Sequence, residues 1–194
     1  MPFDNYFIVD IETVPIKLDA YESLPEEERK KLINPIDSKI IMIGLRHNGA
    51  DRIFSEGGEK RILEDFWAEW RRIKQATGQF VFVVGFNLLS FDLPFITTRS
   101  FIHNVKIVPF VLKNIVDLRD KLSAHRYGRT RGTLKEFGAL MGLGEAEMDG
   151  SQVAELYKKG ELQKLVEYLK NDLKVTDEMF KRARELGILE IQKW

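Results

Sequence analysis

Two stretches, Tyr6–Ile11 and Phe80–Phe86, are nearly continuous apolar runs rich in Val, Ile and Phe. Runs of that length and uniformity predict strands covered on both faces, the central strands of an α/β sheet. Lys39–Arg46 predicts a further strand, and His47-Asn48-Gly49 predicts a hairpin turn from it into Arg52–Phe54. Between Gly58 and Gly78 the apolar positions change period. Ile62, Leu63, Phe66, Trp67, Trp70 and Ile73 recur at helical spacing, which makes both tryptophans core residues of a helix leading to the second central strand.

The later part of the chain reads as mostly helical. Asp92 with Pro94 opens a helix towards Phe101, and Thr133 with Glu136 forms a capping box for a short helix ending at Met141. Asp149-Gly150-Ser151 predicts a turn into another helix. The longest helix runs from Glu161 to about Leu186, apolar at Leu162, Leu165, Val166, Leu169, Leu173, Thr176, Phe180 and Ala183. The segment from Pro15 to Ser38 carries a second capping box, Ser23 with Glu26, and reads as a helix inserted between the first two strands. With no repeats, linkers or low-complexity tracts, residues 1–194 are expected to form one domain.

Composition narrows the chemistry. Lys and Arg number 30 and so do Asp and Glu, so the chain lacks a protein-wide basic field. Any polyanion must be gripped by a local patch or through metal ions. The absence of cysteine excludes a disulfide scaffold, thiol catalysis and thiolate zinc sites, and fits a cytoplasmic location. No signal peptide is expected at the N-terminus. The longest apolar run falls far short of the roughly 20 residues that span a membrane.

Three acidic motifs break the apolar pattern. Asp10 and Glu12 share one face at the end of the first strand, with Ile11 opposite. Two such carboxylates repel by about 4 kcal/mol at an effective dielectric near 20. Either the strand end emerges into water, or a hard divalent cation reverses the sign. Asp92 closes the run Asn87-Leu88-Leu89-Ser90-Phe91-Asp92 just past the second central strand, where it also suits a helix start. If the two central strands are parallel neighbours, both motifs reach the carboxyl edge of the sheet, where open α/β sheets bind ligands. Tyr168 and Asp172, four apart, stack on one face of the long helix, bordering its apolar stripe.

Taken in order, these motifs resemble the DEDD 3′–5′ exonuclease superfamily in its tyrosine-containing branch. The sequence is most similar to the proofreading exonuclease domain of family B DNA polymerases. Asp10-Ile11-Glu12-Thr13 matches the first motif, Asn87 through Phe91-Asp92 the second, and Tyr168 through Asp172 the third; Asp117-Leu118 and Thr133-Leu134 resemble the stretch between the last two. The resemblance implies an α/β, ribonuclease H-like fold, a mixed sheet of three antiparallel strands and then parallel strands, flanked by helices. It implies two divalent ions, Mg²⁺ or Mn²⁺, held by Asp10, Glu12, Asp92 and Asp172, with Tyr168 orienting the attacking water. Hydrolysis then proceeds from the 3′ end of a single strand and releases nucleoside 5′-monophosphates.

No polymerase palm or thumb fits in this length, so a free-standing exonuclease is expected. Thr13 and Asn87 are candidates to bind the terminal nucleotide, and Phe91 either stacks on a base or packs in the core. Arg119, Lys121, Arg126, Arg129 and Arg131 surround Tyr127 and Gly128 in a basic run that either tracks phosphates or stays solvated. Arg126 and Arg129 are its candidate phosphate contacts. Single-stranded DNA is the favoured partner and no membrane is expected. An exoribonuclease of the same superfamily is the nearest rival, and a catalytically silent nucleic-acid-binding module is the rival from another class.

Overall fold

A computed structural model describes residues 3–78, 80–126, 132–143, 148 and 150–192. The first apolar run becomes β1, Tyr6–Pro15, which continues through the acidic motif instead of stopping at it. Its two neighbours differ. β2, Ser38–His47, pairs with it antiparallel from Phe7 to Pro15, whereas β4, Phe82–Gly85, pairs with it parallel only through Tyr6, Phe7 and Ile8. β3, Ala50–Phe54, follows β2 through a tight turn in which Asn48 and Gly49 take φ of 51° and 78°. Two successive left-handed residues match the twist of a two-residue hairpin, and Asn-Gly supplies them at low steric cost. β5, Ile115–Asp117, adds a second parallel pairing beside β4. The order β3-β2-β1-β4-β5 is the mixed sheet expected, three antiparallel strands and then parallel ones.

Helices cover both faces. On one side lie α3, Gly58–Ala76, and α4, Asp92–Ile102, packing Ile62, Phe66, Trp67, Trp70, Phe95 and Ile96 against Phe7, Val9 and Ile11 of β1. Trp67 and Trp70 are core as predicted, and the buried Trp67 indole N–H donates to Ser100 Oγ at 2.9 Å. On the other side α8, Leu162–Glu185, lays Leu173, Phe180 and Ala183 on Ile8, Val84 and Val116. Its first half meets Val14, Ile41 and Met42 together with Val153 of α7, Val153–Lys158. Shorter helices α5, Leu118–Leu122, and α6, Leu134–Leu140, complete the chain, the latter with the Thr133–Glu136 capping box formed as expected.

Two local devices bring α8 close to β1. The β1–β2 register shifts between Glu12 and Thr13, leaving Ile41 as an extra residue on β2. Such bulges bend the strand and increase its twist. Gly44 lies opposite Asp10, and a Cβ there would sit 2.9 Å from Leu169 Cγ and Leu173 Cδ1. A residue with no side chain lets the helix settle directly on the sheet. The second half of α8 is held by the buried Asp177, which accepts from Tyr6 Oη at 2.8 Å and Arg46 Nε at 3.0 Å.

Several predictions of local structure are corrected. Residues 15–38 form two short helices, α1 at Leu18–Glu22 and α2 at Glu26–Lys31, not one. Ser23 ends α1 and donates its hydroxyl to Ala20 O at 2.8 Å; Pro25 stands at the entrance of α2, with Glu26 as its first residue. The Ser-Glu spacing therefore falls outside the positions a capping box needs. Phe80 precedes β4 and is 69% exposed, because the strand begins only at Phe82, where its pairing with Tyr6 of β1 starts. Leu162, in the first turn of α8, is 43% exposed and stands off the stripe. Asp149, and Tyr127 through Arg131 of the basic run, lie outside the described residues.

Candidate active site

Past Ile8, the β4 side of β1 has no strand partner among the described residues. A main-chain N–H on that side still requires an acceptor. Asp92 supplies it: its Oδ1 accepts from Ile11 N at 3.1 Å. Asp92 is thus the first residue of α4 and not its cap, since Phe91 precedes the helix and makes no side-chain cap bond. A helix N-terminus favours negative charge, yet this carboxyl is 2% exposed. Burial dominates and pushes it up to about 7, against the hydrogen bonds from Ile11 and Asp10.

The loop carrying the second motif is held from β5. Asp117, at the strand's carboxyl end and 3% exposed, accepts from Asn87 N at 3.0 Å, Leu89 N at 2.9 Å and Arg119 N at 3.0 Å. Asn87 itself takes a left-handed φ of 63°. One buried carboxylate thereby satisfies a turn that brings Phe91 and Asp92 back towards β1. This anchoring role was not foreseen; the signal available in the sequence was an acid ending an apolar triplet, Ile115-Val116-Asp117.

On the α8 face, Asp10 and Glu12 project from β1 beneath Tyr168 and Asp172. Asp10, Glu12 and Asp172 each present a carboxylate oxygen, all within 4.8 Å of one another. Glu12 is 7% exposed and the other two are half-buried. Burial, then the negative Asp92, Asp172 and Glu12, push the Asp10 carboxyl well above the ordinary range, and it hydrogen-bonds to Asp92. Glu12 is raised by burial and then by Asp172 and Asp92. Asp172 is raised by burial to about 6, opposed by the hydrogen bond it accepts from the Tyr168 hydroxyl. Burial and then the charges of Asp172, Glu12 and Asp10 push the Tyr168 phenol far up. Such a phenol stays protonated and donates; it does not act as a base.

The carboxylates floor a cleft of about 270 Å³ that is also lined by Thr13, Phe91, Tyr168, Tyr21, Ile33, Val153 and Ala154. Phe91 lines the cleft and packs on Phe95, with ring centroids 4.8 Å apart. Asn87 is not among the lining residues; its Oδ1 accepts from Arg119 Nη1 at 3.3 Å. Arg126 is exposed and Arg129 lies outside the described residues.

All the donors in this cluster are hard carboxylate oxygens, from groups raised first by burial and, at Asp10 and Glu12, also by neighbouring negative charge. A donor set of that kind favours Mg²⁺ or Mn²⁺ over zinc. A family model described as "Predicted 3'-5' exonuclease related to the exonuclease domain of PolB" matches residues 110–188. The chain is also 31% identical over 171 residues to the uncharacterized protein MJ0365 of Methanocaldococcus jannaschii, a match covering 81% of this chain and 93% of that protein. The chain belongs to this family of predicted exonucleases. Its ribonuclease H-like fold is shared with the family B DNA polymerase from the hyperthermophilic archaeon Pyrobaculum calidifontis, at a TM-score of 0.70 and 16% identity. That match covers 94% of this chain but 25% of the polymerase. The match to the exonuclease family begins at residue 110, after the first two acidic motifs, so Asp10, Glu12 and Asp92 rest on the geometry described above.

Proposed function

We propose that the protein is a divalent-metal-dependent 3′–5′ exonuclease that hydrolyses single-stranded DNA from its 3′ end and releases nucleoside 5′-monophosphates. The observation that carries this reading is the convergence of Asp10, Glu12 and Asp172 from a strand and a helix some 160 residues apart in sequence. Asp10, Glu12 and Asp172 would hold the ions, with Asp92, hydrogen-bonded to Asp10, supporting them from behind. Bound there, a pair of divalent ions supplies Lewis-acid stabilisation of both oxygens of the scissile phosphodiester and a more acidic water.

The chain's own residues do the rest. Tyr168 keeps its proton, and its hydroxyl orients the attacking water from the side of Asp172. Phe91 and Thr13 face the cleft, where the terminal nucleotide would lie. Asp117 keeps the motif-two loop folded so that Asp92 stays fixed against β1.

The test is release of mononucleotides from 3′-labelled and 5′-labelled single strands with Mg²⁺, Mn²⁺ or EDTA. A 3′ label should appear as mononucleotide at once, and a 5′ label only after the strand has been shortened. Internal cutting, or equal rates in EDTA, would refute the reading. Matched DNA and RNA strands in the same assay separate a deoxyribonuclease from an exoribonuclease, since that choice turns on contacts to the 2′-OH.

A further inference from the structure

Residues 16–37, between β1 and β2, carry none of the clustered carboxylates, yet they build one wall of the cleft. Tyr21 of α1 and Ile33, just beyond α2, line it together with Pro15 and Ser38. The wall is fastened at several points. Ile16 N donates to Asp37 O at 2.9 Å, closing the base of the excursion, and the buried Ser38 donates its hydroxyl to Leu32 O at 2.7 Å. Leu18 packs on the cluster formed by Val14, Met42, Leu165 and Leu169. From the far side, the buried Arg99 donates to Pro35 O at 3.2 Å while pairing with Glu59.

Tyr21 is itself held in place. Arg29 Nε donates to Tyr21 O at 3.1 Å and to Leu24 O at 2.9 Å, and its guanidinium lies over the Tyr21 ring, 5.4 Å from the centroid. The chemistry of this wall does not suit phosphate. Residues 16–37 hold six acids against four bases, and Ile33, which lines the same cleft, is 42% exposed. An aromatic ring and an exposed aliphatic side chain, fixed above a floor that would hold metal and phosphate, suit the flat apolar face of a base.

We propose that Tyr21, backed by Arg29 and flanked by Ile33, is a stacking platform for a base of the bound single strand, and so a positioning residue for hydrolysis. This rests on the exonuclease reading above. Stacking on an aromatic tolerates every base, because each has a π-face. The platform therefore contributes affinity for a strand of any sequence and requires that strand to be unpaired. The wall belongs to residues for which the acidic motifs give no role, and it makes recognition of the strand partly a property of this excursion.

The experiment compares Tyr21→Ala, Tyr21→Phe and wild type on a 3′-labelled DNA strand in Mn²⁺. A second strand carries abasic sites at its last three positions. Tyr21→Ala should raise KM about tenfold with kcat changed less than threefold, and Tyr21→Phe should restore wild-type KM. On the abasic strand, wild type and Tyr21→Ala should share the same raised KM. An unaltered Mn²⁺-induced rise in melting temperature checks that Tyr21→Ala keeps its carboxylate cluster. If wild type is active and Tyr21→Ala has unchanged KM, or raises KM over wild type equally on intact and abasic strands, the platform role is overturned and the exonuclease reading stands. If wild type releases nothing with either metal, both are overturned.

Discussion

At the scale of single residues, the site is defined by acids whose charge the fold resists. Asp92 at about 7 and Asp172 at about 6 both sit above the ordinary value of 3.8, and Asp10 and Glu12 are raised too. The native state therefore binds more protons than the unfolded chain between about pH 4 and 7. The contribution of these carboxyls to stability falls as pH rises through that window. Carboxyls held below their ordinary range, such as Asp177 and Glu59, lose their contribution only at lower pH. In EDTA, melting temperature should therefore be higher at pH 5 than at pH 8, and Mn²⁺ should reverse the order. Asp92→Asn keeps an acceptor for Ile11 N but removes a buried charge. It should raise the metal-free melting temperature at pH 8 by a few degrees, at roughly 2–4 °C per kcal/mol for a chain of this size, while shrinking the Mn²⁺ effect. A lower melting temperature for the variant in EDTA would show that the cluster is not under electrostatic strain. Tyr168→Phe tests the phenol: with its donor gone and its ring kept, kcat should fall by up to about 10²-fold, as for a misplaced reactant, with Mn²⁺ affinity within a few-fold. Asp10, Glu12, Tyr168 and Asp172 were legible in the sequence because strand alternation and the four-residue helical step are local rules. Asp117 and Gly44 were not, since each acts on a neighbour across the sheet that one-dimensional periodicity does not name.

Among the elements, α8 sets the geometry of the cluster, and its height above β1 depends on Gly44. The two clashing atoms differ: Leu173 Cδ1 ends a flexible side chain and can swing away, but Leu169 Cγ moves only if the whole buried side chain turns about χ1 or the helix shifts. Gly44→Ala should push α8 outward near Leu169, adjacent to Tyr168. Overpacking of this kind costs about 1–3 kcal/mol, and the larger effect should be on Mn²⁺ affinity, read by calorimetry as a weakening of tenfold or more. Unchanged affinity with lowered stability would mean that the helix adjusts without disturbing Asp172. The strong periodicities of α3 and α8 made both helices plain in the sequence. The weaker elements were harder to read. The Pro15–Ser38 stretch splits in two because Ser23 and Pro25 close one helix and open the next within three residues. β5 has only three residues, too short for a pattern of its own, and is a strand because β4 offers it hydrogen bonds. The parallel pairing of β1 with β4, a condition in the sequence reading, follows from the short, buried β4 and the α3 crossover before it.

For the molecule as a whole, equal numbers of acids and bases make attraction to a polyanion a local matter. No helix among the described residues is long and apolar enough to cross a membrane. With the carboxylate floor able to meet phosphate only through cations, strand binding has two separable electrostatic parts: the metal-linked contacts in the cleft and any arginines reaching phosphates farther along. Salt distinguishes them. Each phosphate neutralised by a side chain adds about 0.7 to the slope of log K against log salt for a single strand. Arg126 is exposed just after α5, in the basic run that also contains Arg129. If that run tracks the backbone, replacing both arginines with alanine in an inactive Asp10→Asn background should lower the slope by about 1.4. Tyr21→Ala in the same background should weaken binding without altering the slope, because stacking releases no counterions. Anisotropy of a labelled strand over a salt series, at fixed Mn²⁺, reads both quantities. A slope unmoved by the double arginine change would assign that run to solvent, leaving the cleft and its wall to hold the strand.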